Sequence, residues 1–366
     1  MNHYLKTSVL VVSFVVYYFF AFSQDKIINV LCYHKFTKGT ETIAADTKKH
    51  DIFSISEERF EEHLKFLKES GYDVISMKQY LSYLAGTGSI PDNSVLITID
   101  DGYRSLYDIA FPLLKKYEFP ATIFIYSVFF GGKNNLNEDM IKEMMKFNFD
   151  VGSHSYTHPN LTKRNNFSSD EEYLSFLEKE IIKSKTFFES KLKMPVETFA
   201  YPYGLYSKEI IQIVKKAGYR AAFSVVTGMN VSDTPGYALH RTLIFNSTTV
   251  KSLKKILDKK PIKVKEVYPA DGEIMEERNP EFHVLLAEDS NLNTATIKFQ
   301  LNNKEIGKIN YDSKIREIKC SREKPLSDGT YVATINAKSL NKEEYEYSWL
   351  FVIGKTSGID LNAIQK

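Results

Sequence analysis

The chain has 366 residues, a length that accommodates one large domain and a smaller one. Its composition, 43% hydrophobic and 26% charged residues, is ordinary for a globular protein. The 48 basic and 46 acidic residues leave a formal net charge of +2, and this near balance gives no support for nucleic acid or a strongly acidic polymer as a partner.

The N-terminal segment has the pattern of a secretory signal. His3 and Lys6 give it a weakly basic start, residues 9–20 are nearly all apolar, and Ala21 and Ser23 are small residues of the kind a signal peptidase reads. The apolar run is a little short for a membrane span of about 20 residues, so we expect cleavage, with an uncleaved N-terminal anchor as the alternative. We therefore expect an exported protein, whether periplasmic, cell-surface or secreted.

Predicted strands and helices then alternate along the larger part of the chain. Apolar and β-branched runs predict strands over 27–33, 74–77, 95–99, 121–125, 149–153, 199–201 and 221–226. Helical spacing of apolar residues predicts helices over 58–70, 77–84, 106–117, 137–147, 170–191, 207–217 and 250–258. This alternation predicts an α/β fold with a parallel sheet.

Two adjacent carboxylates, Asp100 and Asp101, follow the predicted strand over 95–99 and precede Gly102. Neighbouring carboxylates at a strand end repel each other and resist desolvation, so a cation or a shared proton would relieve them. A solvated Asp-Gly turn is the alternative interpretation.

A histidine pair, His154 and His158, follows the predicted strand over 149–153. Two histidines four residues apart, on a helical turn or at the two ends of a tight loop, can bind one metal ion. A single surface pair is more often without function. Together with one carboxylate, however, the pair supplies the ligands of a catalytic zinc that keeps positions open for water.

The C-terminal region changes in character from Tyr268 onward. Short alternating runs such as 296–301, a turn at Asn302 and Asn303, and a closing strand over 347–352 predict a β-sandwich that looks like a bacterial immunoglobulin-like module. Its single tryptophan, Trp349, is predicted to lie in the core, and a spacer role for the module is favoured over carbohydrate binding.

Four motifs in this order resemble the signatures of the polysaccharide deacetylases, the NodB-homology or carbohydrate esterase family 4 group. They are Leu31-Cys32-Tyr33-His34, Thr98-Ile99-Asp100-Asp101-Gly102, His154-Ser155-Tyr156-Thr157-His158 and Phe199-Ala200-Tyr201-Pro202-Tyr203-Gly204. The resemblance covers roughly residues 30–245 and is strongest to the poly-N-acetylglucosamine deacetylase subgroup. It implies a distorted (β/α)7 barrel.

The resemblance also implies a metal-dependent mechanism. Asp101, His154 and His158 would hold a divalent ion, with Zn²⁺ expected, which polarises the N-acetyl carbonyl and activates a water. Asp100 would take the proton from that water as general base.

The general acid and the oxyanion donor are further expectations from the family. In the subgroup, a Tyr-His motif supplies the acid, which assigns that role to His34, with His240 as the alternative from a late Leu-His. The backbone N–H of Tyr203 would stabilise the oxyanion. Many relatives place an arginine where this chain has Ala200, so the partner that orients Asp100 is open, and Arg241 is a candidate substitute.

These expectations give a domain plan and a function. Residues 1–24 are the signal peptide or anchor, 25–260 the catalytic domain, 261–266 a linker, 267–355 the Ig-like sandwich and 356–366 a tail. The two cysteines, Cys32 and Cys320, fall in different domains, so a disulfide between them is not expected.

The predicted function is N-deacetylation of an N-acetylglucosamine polysaccharide, with surface or membrane association through the N-terminus. An O-acetyl xylan esterase and a catalytically silent glycan-binding surface protein are the alternatives.

Overall fold

The computed structural model describes residues 26–39, 52–287, 292–356 and 358. The predicted signal segment over 1–24 and nearly all of the predicted tail lie outside the described residues. Two units are described: an α/β unit followed by an all-β region. No helix in the described ranges is both long and apolar enough to cross a membrane.

The α/β unit alternates strands and helices as predicted. Its strands are β1 (Asn29–Tyr33), β2 (Lys35–Thr37), β3 (Ser54–Ser56), β4 (Asp73–Val74), β5 (Ser94–Asp101), β6 (Ala121–Ile125), β7 (Phe149–Ser153), β8 (Thr198–Ala200), β9 (Ala221–Phe223) and β10 (Thr242–Leu243). Its helices are α1 (Glu57–Glu69), α2 (Met77–Leu84), α3 (Phe111–Tyr117), α4 (Glu138–Met145), α5 (Asp170–Glu178), α6 (Ser184–Leu192), α7 (Lys208–Lys216) and α8 (Val250–Leu257).

Two predicted helices contain π-helical turns. The helix predicted over 106–117 begins with a π-helical segment, Leu106–Ala110, and becomes α-helical at Phe111, so that Pro112 lies where the π-helical turn changes to α-helix. The helix predicted over 170–191 forms α5 and α6 around a second π-helical segment, Lys179–Lys183.

The main sheet is parallel and curls into a barrel. Its strands follow the order β10-β1-β5-β6-β7-β8-β9, and the short β4 pairs with the beginning of β5. The segment over 239–243 reaches both edges: Leu239 bridges Phe223 of β9, and Thr242 pairs with Leu31 of β1. This arrangement of seven strands fits a distorted (β/α)7 barrel. Because the strands are parallel, their carboxyl ends share one edge.

The all-β region follows α8 directly. Its strands are β11 (Lys260–Pro261), β12 (Val264–Tyr268), β13 (Glu273–Met275), β14 (Phe282–Leu286), β15 (Leu292–Leu301), β16 (Lys304–Glu305), β17 (Lys308–Asp312), β18 (Glu317–Ser321), β19 (Gly329–Ser339) and β20 (Glu344–Ile353). They form two sheets that enclose a separate apolar core, which includes Trp349 as predicted. The Asn302-Asn303 turn is also confirmed, and both residues have positive φ.

The predicted linker over 261–266 is largely strand. Lys260 and Pro261 pair with β20, and Val264 begins β12, so the chain enters the second unit without a free spacer. Leu350 and Val352 of β20 are buried in the core of the α/β unit. The two units therefore share an apolar contact, which a flexible tether would not form.

Candidate functional site

Three predicted metal ligands meet at the carboxyl edge of the barrel. Asp101 ends β5, while His154 and His158 lie in the loop after β7. The Oδ1 atom of Asp101 lies 3.9 Å from Nε2 of His154 and 3.7 Å from Nε2 of His158. The two Nε2 atoms are 3.2 Å apart.

This triangle fits one small divalent ion. Two ligand atoms each about 2.1 Å from a tetrahedral ion are separated by roughly 3.4 Å, close to the three observed distances. The donor set of two imidazoles and one carboxylate also leaves coordination positions open, as catalytic zinc sites do. The residues present therefore fit a divalent metal.

The protonation state of His154 suits a metal ligand. Its Nδ1 lies 2.7 Å from the carbonyl oxygen of Ala200, so Nδ1 carries the proton and donates it, leaving Nε2 as the lone-pair atom. Burial lowers the pKa of His154 to about 3, although the nearby Asp100 carboxylate opposes that shift. The imidazole is consequently neutral at ordinary pH.

Several backbone conformations at the site are unusual. Asp101, Ser155, His158 and Tyr203 all have φ between 58° and 72°. Non-glycine residues rarely adopt this left-handed region, because their Cβ approaches the carbonyl oxygen. The fold thus holds four neighbouring residues in costly conformations at one place, which is typical of functional sites.

The histidine loop is a tight turn rather than a helix, and Glu180 holds it. This carboxylate, 2% exposed, accepts the backbone N–H groups of Tyr156 (3.0 Å) and Thr157 (2.7 Å) and the Thr157 hydroxyl (2.7 Å). Within the loop, Ser155 Oγ accepts the N–H of His158 at 2.9 Å. Glu180 lies in the second π-helical segment, and π-helical turns are frequent at functional sites.

Asp100 is held by Arg241. The two guanidinium nitrogens donate to the two carboxylate oxygens at 2.7 Å each, and both side chains are fully buried. Burial alone would raise the pKa of Asp100, but the charge of Arg241 and its hydrogen bonds to the carboxylate outweigh burial and hold that pKa well below its ordinary value. Asp100 is thus an ionised carboxylate committed to Arg241.

Two residues from the end of β1 complete the surroundings of Asp100. The thiol of Cys32 donates to Asp100 Oδ2 at 3.4 Å, and burial raises the pKa of that thiol. A ring nitrogen of His34 lies within 4.8 Å of both Cys32 and Asp100. His34 therefore reaches the same pocket, with its ring packed on Phe53.

The alternative acid, His240, points elsewhere. Its Nδ1 lies 3.2 Å from the carbonyl oxygen of Val226, and its ring packs on Gly228. Because successive side chains of an extended segment alternate, Arg241 faces Asp100 and His240 faces away from it. The structure brings His34 to the site and leaves His240 outside it.

The corner at Tyr203 is beside the metal-binding triangle. Its ring packs edge-on against His158 at 4.7 Å, and its N–H belongs to the first turn of the segment Pro202–Gly204, where N–H groups have no partner within the turn. Gly204 is required next to it, because a Cβ there would lie 2.2 Å from Val225 Cγ2. This corner can present a donor to a developing oxyanion.

Glu180 and Cys32 were missed as site residues by sequence reasoning. Glu180 is one of many charged residues in a helix with a polar face. Only the three hydrogen bonds that it accepts in the structure distinguish it from the others. Nothing in the sequence assigns Cys32 a role at the site, although it lies in the motif that ends at His34; both cysteines are buried free thiols.

Comparison with known proteins gives consistent results. A family model described as polysaccharide deacetylase matches residues 87–222. The poly-beta-1,6-N-acetyl-D-glucosamine N-deacetylase of Staphylococcus aureus (strain MRSA252) is 31% identical over 217 residues, which cover 58% of this chain and 74% of that protein.

Solved structures resemble the same part of the chain. IcaB from Ammonifex degensii matches with a TM-score of 0.53 and 26% identity, covering 64% of this chain and 98% of that one. The deacetylase PplD from Streptococcus pyogenes, solved in complex with acetate, matches with a TM-score of 0.56 and covers 64% of this chain and 99% of that one. At 22% identity, the second match supports the fold alone.

Proposed function

Because the chain belongs to the polysaccharide deacetylase family, we propose that it removes N-acetyl groups from a polysaccharide containing N-acetylglucosamine. One observation carries this proposal. A group of side chains that could hold a metal ion, Asp101, His154 and His158, lies beside a second, ionised carboxylate, Asp100. An amide hydrolase needs both an electrophile at the carbonyl and a base for water.

Asp101, His154 and His158 would hold the divalent ion, for which Zn²⁺ is our proposal. When bound there, such an ion polarises the amide carbonyl and makes water more acidic. The Ala200 carbonyl fixes His154 in the tautomer that keeps Nε2 available, and Glu180 fixes the loop that carries His158. These contacts orient the ligand atoms before substrate binds.

Asp100 is the proposed general base. It accepts a proton from the water whose oxygen attacks the acetyl carbon, and Arg241 keeps it ionised and aimed. The N–H of Tyr203 donates to the oxyanion that forms on the substrate. His34 then gives a proton to the nitrogen as the carbon–nitrogen bond breaks, so that acetate and a free amine leave. His240 is not retained as the acid, because its side chain points away from Asp100.

The remaining assignments complete the proposal. We propose that residues 1–24 direct export and that 25–260 form the catalytic domain. The all-β region over 267–355 would be an Ig-like module, since its two sheets, whose longer strands pair antiparallel, enclose one apolar core.

One experiment tests the proposal and its residue roles together. Acetate release would be measured on N-acetylglucosamine oligomers and on acetylated xylan, with bound metal quantified, for the natural chain and for Asp100→Asn, His34→Ala and His240→Ala. We expect release from the oligomers only. Asp100→Asn and His34→Ala should each retain metal and lose activity by about 10²–10⁴-fold, the usual contribution of a positioned acid or base. His240→Ala should stay within a few-fold of the natural chain.

Other results would point to other functions. Preferential release from xylan would identify an O-acetyl esterase. Absence of bound metal together with absence of release on either polymer would favour a silent glycan-binding protein. Near-natural activity of Asp100→Asn would remove the base assignment.

A further inference from the structure

A groove of 690 Å³ runs between the barrel and the all-β region. On the barrel side it is lined by Val225 and Thr227, which follow β9, and by the exposed face of α8. On the other side it is lined by the outer face of the sheet formed by β15, β19 and β20. Its volume falls within the range of about 300–1,000 Å³ that is usual for small-molecule sites.

The sheet face that lines the groove has two different halves. Along β20, Glu346 and Ser348 face the groove, whereas Leu350 and Val352, further along the same face, are buried in the barrel core. The alternate residues of β20, such as Trp349, point into the core of the all-β region. One strand thus attaches the second unit through its apolar half and leaves its polar half beside an open groove.

The groove begins next to the candidate site. Val225 packs directly on Gly204, the residue after Tyr203. The preceding carbonyl, that of Ser224, accepts a hydrogen bond from Nε of Arg241 at 2.8 Å. Val225, which lines the groove, therefore contacts the corner that holds Tyr203, and its neighbour Ser224 binds the arginine that holds Asp100.

The charged groups in the groove are balanced. Lys255 pairs with Glu344 at 3.2 Å, and Lys259 pairs with Glu346 at 2.6 Å. Lys298 pairs with Glu305. With each cation paired to a carboxylate, the groove carries no net charge that would select a strongly anionic ligand.

The other polar groups in the groove are neutral hydrogen-bonding side chains. Gln300 and Asn336 face each other, with Asn336 Nδ2 donating to Gln300 Oε1 at 3.3 Å, and Thr334 and Ser348 share a hydrogen bond of 2.9 Å. Amides and hydroxyls of this kind complement the hydroxyl and amide groups of a neutral sugar.

Glu346 provides a second, independent indication of a ligand. It is 6% exposed, and its Oε1 atom accepts no hydrogen bond within the described part of the chain, although Lys259 satisfies Oε2. A buried acceptor without a donor is costly, so a donor from outside the protein is expected there. Because Glu346 lines the groove, a small rotation of its carboxylate would bring Oε1 to a sugar hydroxyl or amine bound there.

We propose that this groove is a subsite for polysaccharide units next to the one being deacetylated, which makes the all-β region part of the substrate-binding surface. The proposal rests on the proposed function, because it takes the N-acetylglucosamine polymer as the ligand. The groove then holds neighbouring units through neutral hydrogen bonds while the reacting unit lies at the metal-binding triangle.

The test fills the groove without touching the candidate site. Gln300→Trp places a large ring in the groove, and Asn310→Trp places the same ring on an exposed position of β17, outside it. For each protein, kcat/KM would be measured on an N-acetylglucosamine disaccharide and a hexasaccharide, with Tm as a check on folding. We expect Gln300→Trp to lower kcat/KM about tenfold on the hexasaccharide, equivalent to about 1.4 kcal/mol, and by less than about twofold on the disaccharide. Asn310→Trp should change neither value.

Glu346→Gln is a second variant that keeps the shape of the side chain. It should show the same loss confined to the long substrate. Equal losses on both substrates, no loss on either, or no preference of the natural chain for the hexasaccharide would overturn the proposal.

A binding measurement separates this inference from the proposed function. Calorimetric titration with the N-acetylated hexasaccharide in the Asp100→Asn background, which we expect to be inactive, needs no turnover, and we expect the added Gln300→Trp to weaken its Kd about tenfold. If the natural chain released no acetate from any oligomer, the proposed function would fail while the titration still decided on the groove. If turnover were normal and both the length dependence and the Kd were unchanged in Gln300→Trp, the groove proposal alone would fail.

Discussion

Asp100 shows how single residues divide the work of the site. Its neighbour Asp101 faces both imidazoles, whereas Asp100 is bound by a guanidinium and a thiol and reaches only the His154 imidazole, with Oδ2 3.7 Å from Nε2. The bidentate contact with Arg241 fixes both oxygens and keeps the charge on the carboxylate. Two adjacent aspartates of identical chemistry thus have different partners, which suits the different roles proposed for them.

Arg241→Lys tests that division. A lysine keeps the charge but forms only one of the two hydrogen bonds, so the pKa of Asp100 should rise from its lowered value. A base with a lowered pKa is active above that pKa and is lost as pH falls through it. The acid limb of kcat/KM should therefore move to higher pH, and kcat should fall by about ten- to a hundredfold, as expected for one lost hydrogen bond to a charge.

The matched control for that variant is Arg220→Lys. Arg220 pairs with Glu197 at 2.8 Å, and both side chains are more than 40% exposed. A surface ion pair contributes little, so pH–rate profiles of this variant should overlay those of the natural chain. An unchanged profile for Arg241→Lys would show that the guanidinium does not tune Asp100.

At this scale the sequence predicted the aspartate and the two histidines that the structure brings together as a possible metal-binding triad, but it only suggested the residue that orients Asp100. Asp101, His154 and His158 all follow predicted strands. The four-residue spacing of the histidines, together with the one carboxylate, is what predicts a metal site. Arg241 lies 141 residues from Asp100, and only the closing of the barrel brings them together. The absence of arginine at Ala200 was the one signal available, and it gave Arg241 as a guess that the geometry now supports.

Among the secondary-structure elements, the helix after the histidine loop is the one that shapes the site. Its π-helical turn, Lys179–Lys183, carries Glu180 under the loop, where one carboxylate accepts three hydrogen bonds. The sequence predicted one continuous amphipathic helix over 170–191. The sequence could not reveal that Glu180 points inward, because the spacing of apolar residues does not show where a π-helical turn occurs.

Glu180→Ala is the prediction at this scale. Removing the carboxylate takes the acceptor from the partly buried N–H groups of Tyr156 and Thr157, at a net cost of roughly 0.5–1.5 kcal/mol each. The loop that carries His158 should loosen, and metal affinity should fall by about 10–100-fold. Chelator competition measures the affinity and thermal unfolding the stability.

An exposed glutamate on the same helix serves as the control. Glu171→Ala should alter stability by less than about 0.5 kcal/mol and leave metal affinity unchanged. If Glu180→Ala bound metal as tightly as the natural chain, the loop would not depend on this carboxylate.

Across the whole molecule, the two units are joined by a buried contact near the site. Asp271 accepts the hydroxyl of Tyr206 at 2.7 Å and the N–H of Leu350 at 3.0 Å, and Lys208 donates its N–H to Gly272 at 2.8 Å. The sequence predicted both units and their order, since composition and periodicity change together near Tyr268. The sequence did not predict that the two units pack together. Leu350 and Val352 continue an apolar strand, and their neighbours in sequence do not show that they are buried in the core of the α/β unit rather than in that of the all-β region.

Asp271→Asn tests the electrostatics of this interface. Burial raises the pKa of Asp271 above its ordinary 3.8, and the bonds from Leu350 and Tyr206 only partly oppose that shift. The folded state therefore binds a proton that the unfolded chain has lost, and this contribution to stability declines as pH rises above about 4. An asparagine accepts the same two bonds without a charge.

We accordingly expect Tm of Asp271→Asn to exceed that of the natural chain by a few degrees near neutral pH, with the gap closing toward pH 4. Parallel melting curves across this pH range provide the measurement. A gap that widened on acidification would reverse the sign and show that the carboxylate is stabilised as an anion.

The position of Arg241 links completion of the barrel to completion of the candidate site. The segment that carries it holds the last strand of the barrel in chain order, and it joins β9 on one edge to β1 on the other. During synthesis from the N-terminus, a nascent chain can hold both imidazoles and both aspartates long before this segment leaves the ribosome. Asp100 gains its guanidinium only when this segment pairs with both edge strands, so an incomplete chain carries the proposed ligands but lacks the partner of the proposed base.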